Sequence, residues 1–395
     1  MNETLAQLPY YRVTELAAEV GGQTVRVVTK PGIPYWQRVS RAALLLADAA
    51  EVAPDARVLL LGCGPGALGV ALARRASGGM VRLVDTSAIA LDMAERTLAA
   101  NAIGNAAVWP DPVDPIAGAS FDVACLEPPN NRKLARRWLL AAHGALPTGG
   151  RLYLAGPKDE GIASIIADAG ALFGQAVVLG YKEHNRVAVA TKTAGAAQPD
   201  WASVPGIAQG TWHEFTATVY GQPLHLWSLP GIFSYDRLDE GTVLLLDAAQ
   251  PLLRRTHRVL DAGCGYGVIG LVVARWGGQA VDLLDANLLA VAAARRNVAD
   301  LAPQQARVLA GDGIAPVVDE RYHLILTNPP FHAGKAVSFD ITDAFIIGAR
   351  QALRPGGGLV LVSNRFLRYD RALREHFSTV EILAETSRFR VFHAS

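Results

Sequence analysis

Arg258-Val259-Leu260-Asp261-Ala262-Gly263-Cys264-Gly265-Tyr266-Gly267 decides the fold of this chain. A short apolar run ends on an acid, and glycine then recurs at every second position. The apolar run suits a buried strand. The glycines let the backbone turn sharply into a helix and approach a ligand closely. The pattern occurs once before, 201 residues earlier, as Arg57-Val58-Leu59-Leu60-Leu61-Gly62-Cys63-Gly64-Pro65-Gly66. Around each copy, short apolar runs alternate with Ala-rich amphipathic runs, the signature of βαβ units and a parallel sheet.

The repetition extends along the whole chain. Pro31-Gly32-Ile33 returns as Pro230-Gly231-Ile232, Val84-Asp85 as Leu284-Asp285, and Glu127-Pro128-Pro129 as Asn328-Pro329-Pro330. Gly150-Arg151-Leu152-Tyr153-Leu154 returns as Gly357-Gly358-Leu359-Val360-Leu361. A period near 200 residues means two whole domains, not a solenoid. Segment 191–209, rich in Ala, Gly, Pro and Thr, reads as the linker. Each domain is expected to end in an antiparallel strand pair, at 177–179 with 187–190 and at 380–383 with 389–392. The expected division is residues 1–195 and 196–395.

Hydrophobic residues make up 51% of the 395 and charged residues 18%, enough for two large cores and too apolar for disorder. The net charge of +1 neither demands nor excludes a nucleic-acid partner. Three cysteines without CxxC spacing argue against a disulfide framework or a metal site and suit a reducing cytosol. No secretory leader is read at the start, and no apolar run is long enough to span a membrane. A cytoplasmic location is the expectation; the oligomeric state stays open, a monomer included.

Gly265-Tyr266-Gly267-Val268-Ile269-Gly270 also fits G-x-G-x-x-G, so a dinucleotide has to be weighed. The acids discriminate. Asp285, at the end of the next strand, can accept bonds from both ribose hydroxyls of either cofactor. Asp261 sits where a dinucleotide would bring its pyrophosphate and would repel it. S-adenosylmethionine carries no phosphate and has a cationic amino group, which Asp261 would favour. Asp312, followed by Gly313, can accept from the adenine amino group or serve as a turn residue. Phe233 and the residues Asp239, Gly241 and Thr242 can fold over the methionine end of the cofactor. The latter three read equally as a plain helix start.

The stretch Asn328-Pro329-Pro330-Phe331 suits gripping a planar amino group. The Asn328 side-chain oxygen and the Pro329 carbonyl can accept its two hydrogens and turn the lone pair toward a methyl donor. Two prolines stiffen the turn, and Phe331 can stack on a base. His332 and Lys335 follow, the first able to touch substrate and the second a phosphate. Together the two motifs point to methyl transfer from S-adenosylmethionine to an exocyclic nitrogen.

On these residues, with Gly231-Ile232-Phe233-Ser234 and Thr327-Asn328-Pro329-Pro330-Phe331-His332, the chain resembles the class I methyltransferases of the duplicated Asn-Pro-Pro-Phe type that modify guanine N2 in ribosomal RNA, most closely those of bacterial 16S rRNA. The resemblance implies two tandem Rossmann-like domains, each a mostly parallel sheet with helices on both faces. It implies a degenerate, non-catalytic first domain and a catalytic second one. In the second, Asp261, Gly263, Gly265, Gly267, Asp285 and Asp312 would line the cofactor site, and Asn328 to Phe331 would hold the guanine. Its partner would be ribosomal RNA or the small ribosomal subunit. Related readings stay open: 23S rRNA guanine N2, adenine N6, protein glutamine, or a non-enzymatic ribosome-assembly factor that keeps the fold. Asp261 and Asn328-Pro329-Pro330-Phe331 argue against an NAD-dependent oxidoreductase.

The first half departs from the motif where chemistry requires it. Leu60 replaces Asp261, Glu127 replaces Asn328 and Asn130 replaces Phe331. Its cluster Arg132, Lys133, Arg136 and Arg137 is expected to meet RNA phosphates, or else to form a solvated helix face. A second cluster, Arg365, Arg368, Arg371 and Arg374, is expected to guide RNA toward Phe331.

Overall fold

The computed structural model describes residues 3–253, 258–277, 280–302, 304–329, 339–367 and 369–395. It divides into two compact units. One is Val13–Trp212; the other joins Met1–Arg12 to His213–Ser395. The division expected at 195/196 therefore falls at 212/213, for a physical reason. Arg137 donates to the carbonyls of Gly206, Ala208 and Thr211 and so fastens that segment to the first unit. The first twelve residues belong with the second unit, which sequence pattern alone did not suggest.

The first unit begins with a hairpin, β1 (Thr14–Val20) and β2 (Gln23–Thr29). Its sheet holds β3 (Arg57–Leu61), β4 (Met80–Val84), β5 (Ala106–Trp109), β6 (Val123–Leu126), β7 (Arg151–Pro157), β8 (Gly174–Lys182) and β9 (Asn185–Lys192). Their order is β5-β4-β3-β6-β7-β9-β8, with β9 antiparallel to both neighbours.

The second unit repeats the plan. A hairpin of β10 (His213–Val219) and β11 (Gln222–Ser228) precedes β12 (Arg258–Ala262), β13 (Ala280–Asp285), β14 (Ala306–Ala310), β15 (Tyr322–Thr327), β16 (Leu353–Asn364), β17 (Val380–Glu385) and β18 (Phe389–Ala394). The order is β14-β13-β12-β15-β16-β18-β17, parallel through β16 and antiparallel after it. Neither leading hairpin was read from the sequence, although Gly21-Gly22 and Tyr220-Gly221 supply the positive φ that tight turns need.

Central strands are covered on both faces, which is why they read as continuous apolar runs. Val259, Leu260 and Ala262 are at most 1% exposed, as are Ile325 and Leu326. Each such leucine or isoleucine stabilises the fold by ~1.5–3 kcal/mol. A polar lock ties four strands together. Asp282 on β13 accepts from Arg307 on β14 at 2.8 Å through both oxygens, from Tyr322 on β15 at 2.5 Å and from Arg258 on β12 at 3.2 Å.

The chain runs outward from β12 through β13 to β14, then returns to lay β15 on the other side of β12. Strand order reverses there, and the crevice beyond the carboxyl ends of β12 and β15 is where such sheets hold ligands. No helix among the described residues is long and apolar enough to cross a membrane. The three cysteines are free and buried.

Candidate active site

Four polar side chains stand at or just beyond the carboxyl ends of four adjacent strands: Asp312 after β14, Asp285 on β13, Asp261 on β12 and Asn328 after β15. The parallel register fixes this row, with Asp261 beside Leu283 and Leu326.

Asp261 is fully buried. Its Oδ2 accepts from the Gly270 N–H at 2.8 Å, while Oδ1 is buried without a hydrogen-bond partner. Burial pushes its pKa up to about 7; the Gly270 N–H pulls it partly back, and the charge of Asp285 adds to the rise. A buried acceptor left unpaired is costly, so it marks a place that a donor would fill. Gly267 opens the following helix with φ 93°, and a Cβ there would press on Leu283 and Ala294. Glycine is required at that corner.

Asp285 is held on both oxygens by backbone. Gly265 N–H donates to Oδ2 at 2.8 Å and Asn287 N–H to Oδ1 at 2.8 Å. Burial raises its pKa and these N–H bonds oppose the rise. Asn287 in turn donates to the Gly231 carbonyl at 2.9 Å, and the Tyr266 hydroxyl donates to the Arg237 carbonyl at 3.2 Å. These bonds tie the segment 230–237 to the glycine turn. Phe233, on that segment, is 66% exposed.

Asn328 is where the sequence reading gains most. Its Nδ2 donates to Asp239 Oδ2 and to Thr242 Oγ1, each at 2.9 Å. Asp239 also receives the Thr242 N–H at 3.0 Å and so caps the helix Glu240–Leu253. An ionised carboxylate can only accept, so the amide nitrogen must face Asp239 and the amide oxygen must point away. Thus Asp239 and Thr242, expected near the cofactor or at a helix start, cap the helix and orient Asn328. Gly241 lies between them, close to Asp239 and the Phe389 ring. The neighbouring Thr327 hydroxyl donates to the Ala262 carbonyl at 2.7 Å, joining the turn after β15 to the glycine turn. Pro329 is buried. Pro330, Phe331, His332, Lys335 and Arg368 lie outside the described residues.

Asp312 has a partner that the sequence reading missed. The Tyr10 hydroxyl donates to its Oδ1 at 2.5 Å. Gly313 has φ 55°, and a Cβ there would stand 2.8 Å from the Tyr11 hydroxyl, so this turn is packed under the start of the chain.

The first unit keeps part of this frame. Gly64 N–H and Ser87 N–H hold Asp85 at 3.0 and 2.9 Å, as Gly265 and Asn287 hold Asp285. The clamp, however, is reversed. Ser40, the cap of the helix Arg41–Ala49, donates to Glu127 at 2.9 Å, so a donor replaces Asp239 and an acceptor replaces the Asn328 amide. Burial pushes the Glu127 pKa up to about 7.

Among the expected phosphate contacts of the first unit, Arg137 needs correction. Arg137 is 1% exposed and spends its guanidinium on backbone carbonyls, so it cannot meet RNA. Arg132 and Arg136 both form paired hydrogen bonds to Asp168. Lys133 is exposed. In the second unit Arg365 pairs with Glu385 at 2.8 Å and Arg371 with Glu375 at 3.1 Å.

The methyltransferase small domain model matches this chain twice, at residues 24–188 and 223–393. The ribosomal RNA small subunit methyltransferase C of Hahella chejuensis is 34% identical over 340 residues, covering 86% of this chain and 94% of the relative. That of Pseudomonas entomophila is 37% identical over 278 residues, covering 70% and 80%. Among solved structures, the T. thermophilus 16S rRNA N2 methyltransferase in complex with AdoMet and guanosine superposes with a TM-score of 0.80 at 32% identity, covering 98% of each chain. Matched twice by the family model and at these identities and coverages, the chain belongs to the methyltransferase small-domain family, and within it to the ribosomal RNA small subunit methyltransferases C.

Proposed function

We propose that this chain methylates the exocyclic N2 of a guanine in 16S ribosomal RNA, with S-adenosylmethionine as donor and the second unit as the catalytic one. The observation that carries the reading is the Asn328 amide, turned by Asp239 and Thr242 so that its oxygen is left for an incoming amino group. The row of acids beside it supports the cofactor. The unpaired Oδ1 of Asp261 suits a cationic amino group, and Asp285 suits a ribose. Bound there, S-adenosylmethionine supplies a methyl group on a sulfonium, an excellent leaving group.

The chain's own contribution is position. The lone pair of a guanine N2 is delocalised into the ring. The Asn328 oxygen and the Pro329 carbonyl accept its two hydrogens and draw them from the ring plane. Because the acceptors are fixed before the substrate arrives, little reorganisation is left for the reaction itself. No general base is needed, since the nitrogen loses its proton after the bond forms. The base leaves its helix to reach the crevice at the strand ends, where Phe331 would stack on it. The first unit, lacking Asp261 and the Asn328 amide, does not catalyse. Its proposed work is support of the second unit and contact with ribosomal RNA or the small ribosomal subunit, in the cytoplasm.

Mapping methyl groups on 16S rRNA by mass spectrometry, from cells without this gene, tests the reading. One guanine N2 methyl is expected to be missing, and the purified protein with S-adenosylmethionine restores it. An unchanged methyl map overturns the proposal. Titration of the full chain with the cofactor is expected to give one site per chain; two equivalent sites would contradict the division of labour.

Asp261 gives the site a pH dependence. Its carboxyl ionises near pH 4 in an unfolded chain and about 7 in the fold. The folded protein therefore keeps a proton that the unfolded chain has lost, and this group's contribution to stability falls as pH rises from about 4 to 7. A cation beside Oδ1 favours the ionised form. Cofactor affinity is therefore expected to rise about tenfold between about pH 5.5 and 7, and to be flat over that range in Asp261→Asn. Calorimetric titration at several pH values measures it. A flat wild-type profile would remove Asp261 from contact with the cofactor's amino group.

A further inference from the structure

The start of the chain is built into the second unit. Leu5 is fully buried against Val318 and Ala344. Pro9–Tyr11 forms one 3-10 turn, and the two tyrosine rings meet edge to face at 4.9 Å, 6% and 3% exposed. Both hydroxyls are aimed at one turn. Tyr10 donates to Asp312 Oδ1, and the Tyr11 hydroxyl lies 2.8 Å from where a Cβ on Gly313 would stand. Burial, with the nearby Asp312 charge, drives the Tyr10 pKa far above the ordinary phenol value, so this hydroxyl stays a donor at any working pH.

A carboxylate that loses one of its hydrogen bonds is oriented less narrowly. A phenol fixed in a buried core sets the direction in which the remaining acceptor positions point. The Tyr11 hydroxyl packs under Gly313 and holds the other side of the same turn. Residues 3–12 are separated from this turn by some 300 positions of sequence, and 200 of those form the first unit.

Resting on the reading of Asp312 as the acceptor for the adenine amino group, we propose that Tyr10 is a positioning residue of the cofactor site, through which the N-terminal segment sets the selectivity of the second unit for a 6-amino purine. The phenol does not touch the cofactor. It orients the carboxylate that does, so its loss weakens recognition of the amino group more than it weakens the site as a whole.

The test is calorimetric titration of the full chain with S-adenosylhomocysteine and with S-inosylhomocysteine, whose base carries a 6-oxo group. Wild type is expected to prefer the adenosyl form. In Tyr10→Phe its affinity for the adenosyl form is expected to fall about tenfold, with a smaller change for the inosyl form, so the preference narrows. Tyr11→Phe, which removes a hydroxyl from the same segment without touching Asp312 Oδ1, is expected to keep the wild-type preference. If Tyr10→Phe loses affinity for both ligands equally, the tyrosine is only structural and the proposal is overturned. Unchanged affinity for both overturns it as well. A wild-type chain that binds neither ligand would instead sink the functional reading on which this one rests.

Discussion

Asn328→Ala is expected to lower the single-turnover rate of methyl transfer by about 10²-fold while leaving cofactor affinity within about twofold of wild type. The local frame makes the prediction sharp. With Asn328 shortened, Asp239 still accepts the Thr242 N–H, so the helix cap survives and the fold has no new buried polar group without a partner. What disappears is the amide oxygen that the proposed mechanism uses to accept from the substrate amino group. The conservative variants separate orientation from mere presence. Asn328→Asp places a carboxylate where the Asp239 carboxylate now receives a donor, and the like charges force a proton onto one of them or push the side chain away. Its rate is expected to fall as far as that of Asn328→Ala. Asp239→Asn keeps a capping side chain with an acceptor oxygen for both Thr242 and Asn328, and is expected to slow transfer only about threefold. Near-normal turnover by Asn328→Ala would remove this residue from the mechanism.

The fold was legible because its determinants are local. β12 reads from an apolar run ended by Asp261 and the glycines, and the duplication doubled every signal. The acids at the strand ends were legible for the same reason, since the strands that carry them read from local pattern. Two kinds of feature were not. Tyr10 meets Asp312 across 302 positions, and no periodicity links them. Asp239 carried two local readings, helix cap or cofactor contact; its bond to Asn328 became visible only when the chain was folded. The arginine cluster shows a signal that was present and misread. Leu134, Arg137, Trp138 and Ala141 follow helical spacing, and all four are buried. Arg137 therefore belonged to the apolar face, not to the face that carries Arg132, Lys133 and Arg136.

Arg137 consequently bears on stability. Its guanidinium donates to Gly206 at 2.8 Å, Thr211 at 3.2 Å, Ala208 at 3.4 Å and Val113 at 3.1 Å, all through backbone carbonyls. The Arg137 carbonyl accepts from Gln209 at 2.9 Å, so the strap is bound from both sides. Burial works against its charge and lowers its pKa, while Asp111 and Asp114 support the charged form. Arg137→Met keeps the volume and removes the donors, leaving those carbonyls facing an apolar side chain. Removing one partner of a buried charged network typically costs ~3–5 kcal/mol, a large part of the ~5–15 kcal/mol that holds a domain. The first unit is therefore expected to unfold with that much less free energy, and segment 206–211 to lose its protection from hydrogen exchange first. Arg137→Lys replaces a planar fork by a point charge that reaches fewer carbonyls, and should recover about half of the loss. Arg136→Met, on the solvent side of the same helix, leaves Arg132 on Asp168 and is expected to cost about 1 kcal/mol or less. Denaturant unfolding with residue-level exchange over Arg132–Ala145 and 206–211 measures all three. If Arg137→Met were as stable as Arg136→Met, the strap would be tied down by something else, and the boundary at 212/213 would lose its physical explanation.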